Sequence, residues 1–175
     1  MKEPKNSTLK SLSKLLEWSL HGVVWIAGSS ILLTFGNRNT RYIAGNLLLG
    51  LLIDASIVGI MKITFARARP KQTKQGTIWD YYPDTYSFPS GHCSRTTMLL
   101  CYSLHFIPKS SYFPFNLPLL TLFSLSVPFS RVILDQHHPS DVIAGYLLGF
   151  VNYFVLSKLW LSIDDIENLL SIVNL

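Results

Sequence analysis

The chain has 175 residues, room for one compact domain but not for two with separate cores. Of these, 49% are hydrophobic and 14% charged, against about 25% charged in a soluble domain; the apolar residues fall in long runs, which argues against a water-soluble globule. The net charge of +5 suits an anionic partner, yet the Lys and Arg residues border apolar runs instead of forming a polar face, which favours lipid headgroups or a phosphorylated substrate over nucleic acid.

Residues 1–20 are a basic segment carrying Lys2, Lys5, Lys10 and Lys14. Leu9, Leu12, Leu15 and Leu16 recur there at helical spacing, so this segment is expected to lie on a membrane surface. His21 to Phe35 is the first apolar run, closed by Gly36-Asn37-Arg38-Asn39. Tyr42 to Met61 has the length of a helix crossing a hydrocarbon layer of ~30 Å, although Asn46 and Asp54 interrupt it. Lys62 to Ser90 is the longest polar stretch, too long for an idle hairpin and expected to be a functional loop. The next apolar segment, Thr96 to Ile107, starts near Gly91 and ends in a loop, Lys109 to Asn116. Leu117 to Leu134 follows with Pro128 inside it, then the polar stretch Asp135 to Asp141, then the last span, Val142 to Leu161. Ser162 to Leu175 is an acidic amphipathic tail with Asp164, Asp165 and Glu167. Hydrocarbon leaves backbone groups no outside partner, so the expected fold is an all-α, multi-pass transmembrane helical bundle of about five spans over residues 21–161. Cys93 and Cys101 are read as packing residues.

The polar stretches between spans hold the chemistry. The first opens with Lys62 and Arg69-Pro70 and closes with Pro89-Ser90-Gly91-His92; the second carries Ser130-Arg131, His137 and Asp141. A phosphoryl group in its transition state spreads negative charge over three equatorial oxygens, and fixed cations stabilise it. Arg69 and Arg131 offer forked contacts and Lys62 a point charge. Ser90 and the N–H groups of Ser90, Gly91 and His92 are further expected donors, with Gly91 letting the backbone come close. A helix beginning near His92 would turn its positive end to the anion. One histidine can attack phosphorus while another protonates the leaving oxygen. His137 and Asp141 stand four apart, which on a helix beginning near Pro139 lets the carboxylate hold the imidazole. The assignment is His137 as nucleophile, Asp141 as its orienting partner and His92 as general acid, with no metal or other cofactor required. His138, three residues from Asp141, competes with His137 on spacing alone.

These residues fall into three motifs: Lys62 with Arg69-Pro70, then Pro89 to His92, then Ser130-Arg131 with His137 and Asp141. In that form the chain resembles the type 2 phosphatidic acid phosphatase (PAP2) superfamily, and the motif spacing decides for His137. Leu15-Leu16-Glu17, His21-Gly22 with Trp25, and Tyr86-Ser87-Phe88 resemble its polyisoprenoid (presqualene) diphosphate phosphatase branch. The resemblance implies a metal-independent enzyme that removes phosphate from membrane-embedded isoprenoid diphosphates and phosphatidate through a phosphohistidine. It also implies residence in the endoplasmic reticulum and nuclear envelope. A non-catalytic scaffold of the same fold is the alternative, although no motif histidine or arginine is missing. Asp54 and Asn46 in a span admit a transporter, which leaves the histidines unexplained; an interhelical hydrogen bond is the preferred reading of Asp54. The excess of Lys and Arg on the face of the motifs places that face in the cytosol.

Overall fold

The computed structural model describes residues 7–70, 85–106 and 113–172. Within them the chain is helical: α1 (Ser7–Ser19), α2 (Gly22–Phe35), α3 (Arg38–Phe65), α4 (Gly91–Phe106), α5 (Phe113–Ile133), α6 (Pro139–Lys158) and α7 (Ile163–Ile172). A helix covers each of the five apolar runs. Among the described residues only α3 and α6 are both long and apolar enough to cross a bilayer alone; α2 and residues 118–133 are shorter apolar helices. The expected five spans are therefore unequal. At 1.5 Å per residue the 16 residues of α4 reach about 24 Å, and that helix carries buried Ser94, Thr96 and Thr97 where a lipid-facing span would carry aliphatics.

Local chemistry sets the helix limits. Asn37 caps α3, its side-chain oxygen accepting from the Thr40 N–H at 3.0 Å, so the helix starts four residues before the apolar run does. At its other end α3 runs past Lys62 to Phe65, which places that lysine in its last turn and not in a loop. Ala66 then turns left-handed (φ 43), a conformation costing a non-glycine residue ~1 kcal/mol or more, and its N–H donates to the Lys62 carbonyl. Helix α6 begins at Pro139, whose ring suits a first turn, and is closed by a capping box between His138 and Asp141.

The bundle is polar within and oily without. Phe35, Ile60, Phe129, Ile143, Leu147 and Phe154 all face outward, while Asn46, Asp54, Lys62, Ser94, Thr97, Arg131 and Asn152 are buried. A water-soluble protein distributes these residue types the other way, so the surrounding solvent is hydrocarbon. A small apolar core (Leu20, Leu51, Met98, Leu99, Val127) lies between the helices. Leu20 belongs to it with no exposed surface.

Helices α4 and α6 make the closest contact. Gly145 and Gly149, one turn apart on α6, sit against the Ser90 and Ser94 carbonyls; a Cβ added at either would lie 2.4 Å from that oxygen. Such a small-residue stripe lets two backbones touch without hydrophobic help. Across the middle of the bundle Asp54 (α3) accepts hydrogen bonds from Ser94 Oγ at 2.5 Å and Asn152 Nδ2 at 2.8 Å, and Arg95 Nη2 stands 3.3 Å from its other oxygen. The interhelical reading of Asp54 therefore describes its contacts. At the end remote from the motifs, Asn46 bonds the Leu161 backbone through both its amide atoms, and Arg38 and Arg41 pair with Asp164 and Glu167 of α7. Ile166 and Leu170 are buried as α7 packs along α3.

Candidate active site

Five helix ends meet at one end of the bundle: the start of α2, the end of α3, the start of α4, the end of α5 and the start of α6. Between them is a cavity of about 540 Å³. Lys62, Arg69, Gly91, His92, Arg131 and His137 line it, six of the eight residues expected in the site. Lys62, Arg131 and His137 are 3% exposed or less, so their positions are set by packing. Arg131 Nη1 is further held by the Gln136 side-chain oxygen at 2.7 Å.

His137 sits in the short connection between α5 and α6. Its Nδ1 lies 2.6 Å from the Ser87 carbonyl oxygen, which can only accept. Nδ1 therefore carries the proton, and Nε2 keeps the lone pair. Burial pushes the His137 pKa down to about 3, helped by the charges of Arg69, Lys62 and Arg131 and opposed by the Ser87 bond. The ring is thus a neutral base at any physiological pH, in the tautomer that leaves Nε2 free to form a bond.

Asp141 does not make the contact expected of it. Its Oδ2 is 3.9 Å from His137 Nδ1, too far for a hydrogen bond, and instead accepts from the His138 backbone N–H at 2.8 Å. Its other oxygen accepts from Arg67 Nη1 at 2.7 Å. The four-residue spacing does bring the carboxylate near the ring, but the capping box of α6 claims it first. Its link to His137 runs through Arg67, whose carbonyl accepts from the Ser87 N–H at 2.8 Å, with Ser87 in turn holding the imidazole.

Ser90 is also placed differently. It is fully buried at the α4–α6 contact, its hydroxyl turned to Cys93 Sγ at 3.2 Å and its N–H donating to the Asp141 carbonyl at 3.0 Å. It does not line the cavity, and its expected donors serve the fold. Gly91 and His92 do line it, at the start of α4, where the positive end of the helix favours an anion. Ser130 is likewise structural, its hydroxyl bonding the Val127 carbonyl at 2.7 Å.

Two cavity residues escape a reading by motif. His21, which opens the first apolar run, lines the cavity from the start of α2, and Arg95, one turn along α4 from His92, lines it too. The sequence signal for Arg95 is an arginine at the start of an apolar segment. Arg67 has the look of an interfacial anchor and turns out to join the α3–α4 connection to α6 through Asp141 and Ser140. Val23, Ile26, Ala55 and Val58 give the cavity an aliphatic lining as well. Lys71 and Lys74, counted for orientation, lie outside the described residues.

A sequence profile described as the PAP2 superfamily matches residues 43–162, which takes in all three motifs. The chain belongs to the PAP2 superfamily. One relative is the probable lipid phosphate phosphatase beta of Arabidopsis thaliana, 32% identical over 127 residues and covering 59% of each chain. Another is the undecaprenyl-diphosphatase of Sulfolobus acidocaldarius, 31% identical over 82% of this chain and 66% of the relative. The chain spans between 52% and 66% of the length of the curated relatives it matches. Among solved structures, Aquifex aeolicus LpxE superposes with a TM-score of 0.65 over 88% of both chains at 18% identity. The first transmembrane PAP2 type phosphatidylglycerolphosphate phosphatase from Bacillus subtilis gives 0.59 over 89% of this chain and 78% of its own, at 19% identity. These likenesses show the helical fold.

Proposed function

We propose that the protein is a metal-independent membrane phosphatase that removes phosphate from lipid phosphates, with isoprenoid diphosphates as its preferred class and phosphatidate a further substrate. The observation that carries this is His137, its Nδ1 held by the Ser87 carbonyl and its Nε2 lone pair left over, in one cavity with Lys62, Arg69, Arg131 and His92. In the first step Nε2 bonds to phosphorus, held among Lys62, Arg69 and Arg131 and against the start of α4. The bond from phosphorus to the leaving oxygen breaks, its electron pair stays on that oxygen, and His92 supplies a proton. In the second step water attacks the phosphohistidine while His92 takes its proton, the N–P bond breaks, and phosphate leaves with His137 neutral again. Asp141 and Ser90 act by positioning, the first through Arg67 and Ser87, the second through the α4–α6 contact.

The aliphatic lining supports a lipid substrate, since it offers an apolar chain a surface in the same cavity as the cations. The names of the relatives point the same way. In this reading residues 1–20 form an interfacial anchor: α1 exposes Leu12, Leu15 and Trp18 along one face. Residues 21–161 form the phosphatase domain and 162–175 the acidic tail, of which α7 packs at the far end. The site faces the cytosol of the endoplasmic reticulum and nuclear envelope; protease protection of a tag at Gln72 in sealed microsomes would reverse that orientation.

Purified protein assayed in mixed micelles with farnesyl diphosphate, presqualene diphosphate and phosphatidate tests the reading. His137→Ala is expected to remove turnover from a folded protein, and Arg131→Ala to lower kcat about 10²–10³-fold, the usual effect of deleting one transition-state donor. Wild-type rates in either variant would refute the site. Binding without turnover in the unaltered protein would leave the scaffold reading.

A further inference from the structure

Arg95 lies outside the three motifs and yet lines the same cavity as His92, three residues before it on one face of α4. Its guanidinium is held on two sides: Nη1 donates to the Leu20 carbonyl at 3.0 Å, and Nη2 stands 3.3 Å from Asp54. On a third side is Gly22, where a Cβ would come within 3.1 Å of the guanidinium carbon; any larger residue would press on it. The side chain is 12% exposed. Each Nη carries two hydrogens, and these contacts use one apiece; the Nε–H has no acceptor among the described residues. Asp54 fixes the group without exhausting it.

Its place along the reaction coordinate gives it a purpose. In-line displacement sends the leaving group away from His137 and toward His92, the residue that protonates the departing oxygen. When the substrate is a diphosphate ester, that oxygen bridges to a second phosphorus, so the second phosphate must lie beyond His92. One helical turn past His92 is Arg95. We propose that Arg95, fixed by Asp54 and the Leu20 carbonyl, binds the lipid-linked phosphate of a diphosphate substrate, the one that departs with the leaving group, and sets the preference for diphosphates over monophosphates. This rests on the phosphatase reading and adds a specificity residue to it. The chemistry balances as before: the bridging P–O bond breaks, its electrons stay on the leaving monophosphate, and Arg95 offsets the charge that develops there.

Farnesyl diphosphate and farnesyl monophosphate differ only in the second phosphate, so the ratio of their kcat/KM values isolates it. In Arg95→Gln that ratio is expected to fall at least tenfold. An equal loss on both substrates would mean that Arg95 only supports the fold, and would overturn the proposal. If Arg95→Gln does not yield a monodisperse protein, Arg95→Lys decides, because an ammonium cannot keep both anchors and the forked contact. Its ratio is expected to fall at least threefold, and an unchanged ratio overturns the proposal. Wild-type protein that hydrolyses neither ester would sink the phosphatase reading itself, a failure distinct from an unaltered ratio.

Discussion

Replacing Gly145 by alanine tests whether the α4–α6 contact positions the site. The new Cβ would stand 2.4 Å from the Ser90 carbonyl oxygen and 3.2 Å from Cys93 Cβ. Ordinary contact to the oxygen begins near 3.4 Å, so the start of α4 must withdraw by about 1 Å, taking Gly91 and His92 with it. Overpacking of this kind costs ~1–3 kcal/mol, and a reacting group misplaced by ~1 Å loses on the order of 10² in rate. Gly28→Ala is the control: nothing lies within 4 Å of its Cβ, and alanine in a helix interior is favoured by up to about 1 kcal/mol. The assay pairs kcat on farnesyl diphosphate with the melting temperature in detergent. Gly145→Ala should lower both, and Gly28→Ala should leave kcat unchanged and the melting temperature equal or higher. Wild-type kcat and melting temperature in Gly145→Ala would refute the argument that this contact sets the register of the site.

Asp141→Asn should destabilise the protein more than Arg67→Ala, because the carboxylate both pairs with Arg67 and caps α6, whereas Arg67 is 41% exposed and its pair is screened by solvent; thermal unfolding of the two variants measures the difference. The folded-state pKa of His137 lies below its ordinary 6.5, so the unfolded chain takes up that proton first. Stability from this group is complete above about 6.5 and is lost as pH falls toward about 3; a His137→Asn protein should have a shallower acid slope in a melting-temperature series. Turnover should persist in excess EDTA and be blocked by vanadate, which tests the metal-free reading directly.

Spacing made much of this protein legible. The five apolar runs became five helices, and Lys62, Arg69, His92, Arg131 and His137 gathered around one cavity from widely separated positions. What escaped was decided by partners that sequence does not name. The Ser87 group that fixes the His137 tautomer is a backbone carbonyl, which every residue possesses, so no side-chain pattern announces it. Asp141 sits at the expected distance along a helix, yet the orphan N–H groups of that helix start compete for its oxygens. Ser90 looked like a donor because its neighbours are, and only the approach of α6 turns it away. Arg95 and Asp54 are 41 positions apart in the sequence, and pairing them requires knowing that α3 and α4 pack side by side.

The Asp54–Arg95 pair bears on how the protein is made. A carboxylate near the middle of a lone apolar helix raises the cost of entering a bilayer by about 2.5–3.5 kcal/mol. During synthesis α3 leaves the ribosome before α4, so for a time Asp54 lacks both Arg95 and the Ser94 hydroxyl. A chain truncated just after Phe65 should therefore hold α3 in the bilayer less stably than one that includes α4, because Asp54 then lacks both of its α4 partners.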